Sequence, residues 1–111
     1  MVRRNQRTLE TAVESAIDVR ARAKAYYDLG VFHDNNNREA VAIPYYERAL
    51  ALGLDRETMT KCLAWLASSL CKTGRFSEAM TRIDESAAIA DDYMKQWLDR
   101  LRSRVIRAKS N

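Results

Sequence analysis

The strongest constraint on this chain is that it aligns with itself. Shifted by 37 residues, the 111-residue sequence places Tyr26 on Leu63, Leu29 on Leu66, Gly30 on Ala67 and His33 on Leu70. The same shift places Asn37-Arg38 on Gly74-Arg75, Ala42 on Ala79, Tyr46 on Ile83, Ala49 on Ser86 and Leu52 on Ile89. No gap is needed, and each pair keeps its size class or role. The register holds through a turn signal, which two unrelated amphipathic helices would rarely share. A period of this size marks a repeat whose units cannot bury their apolar faces alone and must stack on neighbours.

Each copy reads as helix, turn, helix. In the first, the spacing predicts a helix over Ala23 to Asp34 with Tyr26, Leu29, Gly30 and His33 on one face. Asp34-Asn35-Asn36-Asn37 breaks it, since Asn and Asp bond their own backbone and tolerate left-handed conformations. A second helix follows over Glu39 to Leu52, ended by Gly53. Pro44 fits this helix if it lies in the first turn; deeper in, it costs a hydrogen bond. In the second copy, helices are expected over Arg56 to Lys72 and Glu78 to Ala90, with Thr73-Gly74-Arg75 as the turn and Ser77 as the cap. Thr8 is expected to cap a preceding helix with Leu9, Ala12, Val13, Ala16 and Ile17 on one side. No Gly or Pro separates that helix from Ala23, so it is free to run on into the first repeat. Met94, Leu98, Leu101 and Val105 form the apolar stripe of a closing helix opposite a basic stripe. The expected organisation is a single domain, 1–111, with an N-terminal helix 8–22, repeats 23–56 and 60–93, and a closing helix 94–109.

Composition supports an all-α reading. Glycine (3) and proline (1) are too scarce for the turns of a sheet protein of this length. The formal net charge of +4 is concentrated at the ends. Arg3, Arg4 and Arg7 open the chain without an acid, and Lys95, Arg100, Arg102, Arg104, Arg107 and Lys109 face only Asp99 between residues 95 and 109. Basic ends can meet nucleic acid or an anionic surface. The simpler reading is two solvated faces, and nucleic acid is disfavoured as a partner. Cys62 and Cys71 lie nine residues apart on one helix. At about 100° per residue they point to opposite sides, some ~13 Å apart along the axis, and cannot pair. Met1 to Gln6 is not followed by an apolar run, and no segment reaches the ~18 apolar residues of a membrane span. A cytoplasmic protein with free thiols is therefore expected.

The spacing Tyr26-x-x-Leu29-Gly30-x-x-His33 with Ala42-x-x-x-Tyr46, repeated as Leu63-x-x-Leu66-Ala67-x-x-Leu70 with Ala79-x-x-x-Ile83, resembles the tetratricopeptide repeat. The run from Arg38 to Leu50, followed by Leu52-Gly53-Leu54, is similar to a group of small, mostly bacterial tetratricopeptide proteins of about this length. The chain departs from the pattern at three places. Leu54 and Asp91 stand where the repeat ends in proline, three extra residues separate the copies, and His33 replaces a tyrosine. The resemblance implies an all-α, right-handed, short solenoid of antiparallel helix pairs with flanking helices. It also implies a non-enzymatic scaffold that binds a protein or peptide in a concave groove. By position the groove residues would be Lys24, Tyr27, Val31, Asp34 and Asn35, then Lys61, Ala64, Ser68, Cys71 and Lys72. Some members clamp acidic chaperone tails with Lys and Asn where this chain has Tyr27 and Val31, so that ligand is disfavoured.

The alternatives are weaker. His33 is the only histidine, and Cys71 stands one position past its counterpart in the second copy, so a Cys–His pair is conceivable. No third orienting group, metal-ligand cluster or glycine-rich phosphate loop accompanies it, so His33 reads as a packing residue and no cofactor or metal is expected. Trp65 and Trp97 read as core or interface anchors rather than base-stacking platforms. Short solenoids leave apolar edges, which a second copy would cover, so a homodimer is one expectation. The other is binding of nucleic acid or an anionic surface through Arg100, Arg104 and Arg107.

Overall fold

The computed structural model describes residues 5–16 and 18–111. These form six helices: α1 (Gln6–Ser15), α2 (Val19–Asn35), α3 (Glu39–Leu52), α4 (Arg56–Lys72), α5 (Phe76–Ala87) and α6 (Asp92–Ser110). No strand occurs among the described residues. The contacts divide the chain after Leu54 into two compact units. Arg3, Arg4 and Ile17 lie outside the described residues.

Four of the six helix starts are fixed by a side-chain cap, each worth about 1 kcal/mol. Asn5 accepts from the Thr8 amide, Asp18 from Ala21, Asp55 from Thr58 and Asp91 from Met94. Two sequence expectations change as a result. Thr8 is inside α1, and its hydroxyl donates to the Asn5 side chain at 3.0 Å, so Asn5 is the cap. The N-terminal helix does not run into the repeat. Ala16 takes an extended backbone and Asp18 opens a new helix four residues earlier than the apolar spacing suggested. Asp does this without any Gly or Pro, because its carboxylate satisfies an amide that helix continuation would otherwise have paired. A third change is at α5, which starts at Phe76 after Arg75 with no side-chain cap, so Ser77 lies within it.

In the first unit α2 and α3 form the helix pair, and α1 packs on α2 through the buried Leu9. The interior is built from Ala23, Leu29, Ala42, Ile43, Tyr46 and Ala49. Gly30 lets α3 come close: a Cβ there would lie 2.5 Å from two ring atoms of Tyr46. Pro44 is the sixth residue of α3, and the helix continues through it. Pro44 and Ala40 are both exposed, so the carbonyl that loses its amide partner faces solvent.

In the second unit α4 and α5 form the pair and α6 closes it. Leu63, Leu66 and Leu70 of α4 meet Ala79 and Ile83 of α5, and Met94, Leu98, Leu101 and Val105 of α6 complete the core. The buried Ser86 hydroxyl donates to the Thr60 carbonyl at 2.9 Å. The apolar set of α6 repeats that of α4 in a different register. Leu63, Leu66 and Leu70 recur 35 residues later as Leu98, Leu101 and Val105.

The turn inside each pair is built the same way. In the first copy the Arg38 amide donates to the His33 carbonyl and the Asn37 amide to Asp34. In the second, Arg75 donates to Leu70 and Gly74 to Cys71. Asn37 (φ 59°) and Gly74 (φ 80°), equivalent under the 37-residue shift, both take the left-handed conformation this helix ending requires.

Candidate partner-binding site

The second unit carries a groove along the seam of α4 and α6. One part, of 660 Å³, lies between the start of α4 and the α5–α6 turn and is lined by Arg56, Glu57, Lys61, Ile89 and Asp91, among others. The other, of 380 Å³, is lined by Lys61, Trp65, Tyr93, Met94, Trp97 and Arg100. Lys61, Tyr93 and Met94 line both, so the two parts adjoin. Volumes of this size suit a side chain or a short stretch of chain.

The floor of the groove is aromatic. Trp65 and Trp97, both half-buried, meet edge to face with centroids 5.7 Å apart and planes at 71°. Tyr93 stands beside them, 83% exposed. The polar groups are already partly committed. Arg56 Nε donates to the Ile89 carbonyl at 3.0 Å and ties the α5–α6 turn to α4. Asp91 Oδ1 accepts from the Met94 amide at 2.8 Å. Lys61 pairs with Glu57 at 3.2 Å on an exposed turn, a contact that exchanges readily with solvent or ligand. Arg100 is exposed and has no ion-pair partner among the described residues.

The residues that the family resemblance assigned to a groove fall in both units. In the first unit Lys24 pairs with Asp28 at 2.8 Å and lies 5.5 Å from the centre of the Tyr27 ring. Tyr27 and Val31 are half-buried. Asp34 is buried and accepts from the Tyr46 hydroxyl at 2.8 Å, so its carboxylate braces α2 against α3. Asn35 is exposed at the end of α2. In the second unit Ala64, Ser68 and Cys71 are buried, because α4 is covered over most of its circumference. Lys72 is exposed at its end. Of that set, Lys61 alone enters the aromatic groove. The sequence pattern marks Trp65 and Trp97 as anchors without joining them, places Met94 on the apolar stripe of the closing helix, and gives Tyr93 no role. No local signal joins the tryptophans, since even the 35-residue register of α4 and α6 sets Trp65 on Arg100 and Cys62 on Trp97. Arg100, Arg104 and Arg107 are exposed on α6, while Arg102 pairs with Asp84 at 2.8 Å.

The base and nucleophile candidates, His33 and Cys71, are both buried. His33 is buried, stacks parallel on Tyr45 at 5.4 Å, and accepts at Nδ1 from Arg38 Nε at 2.9 Å. Burial, and secondarily the Arg38 guanidinium, hold its pKa below the ordinary 6.5, against an opposing pull from Glu10 of α1. Burial pushes the Cys62 thiol up to about 12, so it carries almost no thiolate at neutral pH. No cluster of metal-ligating side chains exists among the described residues, and none of their helices is long and apolar enough to cross a membrane.

The depressed pKa of His33 makes stability depend on pH. The unfolded chain takes up a proton near pH 6.5 that the folded chain refuses, so stability is full above that value and falls as the pH drops below it. Acid places an imidazolium against Arg38, with only Glu10 opposing. The melting temperature is expected to fall between pH 7 and pH 5 more steeply in the wild type than in His33→Leu, which borrows the residue of the second copy. Equal slopes in the two proteins would contradict this.

Two paired-helix turns of one construction, with small residues at the crossings, define a helical-repeat protein of the antiparallel-pair type. The sequence profile of the Tetratrico peptide repeat family matches residues 23–109, and the chain belongs to that family. The match takes in α6 as well as both pairs. No curated protein and no solved structure matches the chain. Proteins of this family generally mediate protein–protein interaction and are typically non-enzymatic scaffolds.

Proposed function

We propose that this chain is a non-enzymatic interaction module whose partner, a peptide or an extended segment of a protein, docks in the groove between α4 and α6. Residues 23–56 and 60–93 serve as its two repeats, with 94–109 as the closing helix. The observation that carries the reading is the edge-to-face Trp65–Trp97 pair, half-buried in a groove with the exposed Tyr93 at its side. Half-buried aromatics in a pocket are the groups that dominate binding energy at protein interfaces. His33, buried with its Nδ1 taken by Arg38 and its ring stacked on Tyr45, and Cys71, buried in α4, support a scaffold over an enzyme.

Selection of peptides from a random displayed library on the full chain tests this. The expected outcome is enrichment of peptides that lose tenfold or more in affinity toward Trp97→Ala, the scale of a central aromatic contact. Lys61→Glu should weaken the same peptides. Enriched peptides indifferent to both substitutions would place the site elsewhere.

A further inference from the structure

Resting on that reading, we infer that the partner segment is an acidic peptide: a large apolar side chain seats against Trp65 and Trp97, and a neighbouring carboxylate reaches Arg100 and Lys61. The part of the groove that holds the tryptophans is lined by two cations and no acid. Arg100 is the decisive one. It lies exposed beside the tryptophans without a counter-ion among the described residues, as Arg104 and Arg107 of the same helix do, and of these three it alone lines the groove. A planar guanidinium next to an apolar surface is suited to bidentate capture of a carboxylate, because partial desolvation strengthens the charge-assisted bonds. Lys61 can join, since its exposed pairing with Glu57 gives little stability that a ligand carboxylate would not replace. A basic peptide would meet both cations with nothing to neutralise it.

The groove also has a direction. Its other end carries two acids, Glu57 and Asp91, against one further cation, Arg56. A ligand whose acid sits at the Arg100 end and whose neutral or basic portion reaches the α5–α6 turn matches both ends. This gradient disfavours a nucleic acid strand, whose phosphates repeat along its length and would run onto those carboxylates. The tryptophans argue the same way. They meet each other edge to face and are half-buried, so they do not offer a row of open rings on which successive bases stack.

The test uses the full chain and four probes, read by tryptophan emission and by anisotropy of a labelled probe. The first is a capped peptide, Gly-Ser-Phe-Leu-Asp-Glu. The second replaces its Asp and Glu with Lys, the third replaces its Phe and Leu with Ala, and the fourth is a single-stranded oligothymidine. The acidic Phe-Leu peptide is expected to bind saturably, at least tenfold tighter than either peptide control and tighter than the oligonucleotide. Arg100→Glu should cost it tenfold or more while leaving the melting temperature unchanged, and raised salt should weaken it. If the Lys peptide binds as well, or Arg100→Glu has no effect, the acidic assignment is overturned and the groove remains a docking site. If the oligonucleotide binds more tightly, the partner class is wrong. If no peptide perturbs the tryptophans, both the assignment and the proposed docking groove fail.

Discussion

Replacing Gly30 with alanine is expected to destabilise the first unit by about 2 kcal/mol, even though alanine is the better helix former. The new Cβ would lie 2.5 Å from Cδ1 and Cε1 of Tyr46 and 3.0 Å from Cζ. Those ring atoms cannot move aside. Tyr46 is fully buried, and its hydroxyl is anchored to Asp34 at 2.8 Å. Overpacking of this kind costs about 1–3 kcal/mol, more where the neighbour is rigid. The gain in helix propensity returns up to about 1 kcal/mol. A net loss near 2 kcal/mol lowers the melting temperature by about 8 °C in a protein of this size. The second copy shows how the same crossing is built with a larger residue. Ala67, Cys71 and Ile83 stand where the first copy has Gly30, Asp34 and Tyr46, and the second copy thus replaces the hydrogen-bonded ring with a smaller apolar set. Moving all three residues together, as Gly30→Ala, Asp34→Cys and Tyr46→Ile, is expected to restore most of what Gly30→Ala alone removes. Thermal melts followed by circular dichroism decide it. A single substitution that leaves the melting temperature unchanged would mean the two helices are not in close contact at Gly30.

The second large effect is at the other end of the chain. Leu101→Ala is expected to cost about 3 kcal/mol, within the range for truncating a buried leucine. Leu101 is 1% exposed and packs among Leu98, Val105 and the residues of α4 and α5. Ile106, on the same helix, is 53% exposed, and Ile106→Ala should stay within about 0.5 kcal/mol. The comparison holds helix and chemistry nearly constant and varies burial alone. Denaturant unfolding of both variants measures it. Comparable losses at the two positions would show that α6 is not seated on the second unit by this face.

Much of the fold was legible because its signals are local. The 37-residue register, the inward spacing of Leu29, Ala42 and Tyr46, and the matched endings at Asn37 and Gly74 are properties of short stretches. The ends of α3 and α4 were read correctly from Gly53 and from the Thr73-Gly74 turn. The starts were harder. Asn5 and Asp18 cap their helices from outside the apolar pattern, and Thr8 looked like a cap only because the better acceptor three residues earlier was overlooked. At Pro44 the local rule allowed two outcomes, and exposure of Ala40 permitted the costlier one.

The candidate site was much less legible. Position within a repeat says which face a residue occupies, but not what already covers that face. Ala64 and Ser68 are buried, and Asp34 is spent on Tyr46, although their places in the pattern suggested a groove. Trp65 and Trp97 are 32 residues apart in sequence, and nothing in either helix alone brings them together. The sequence by itself determined that the chain forms antiparallel helix pairs, because apolar periodicity and turn chemistry act over a few residues. Only the tertiary structure decided which polar and aromatic side chains remain available. Burial and partnership depend on every element packed nearby, and the groove of α4 and α6, with Arg100 uncompensated at its edge, exists only once those helices are side by side.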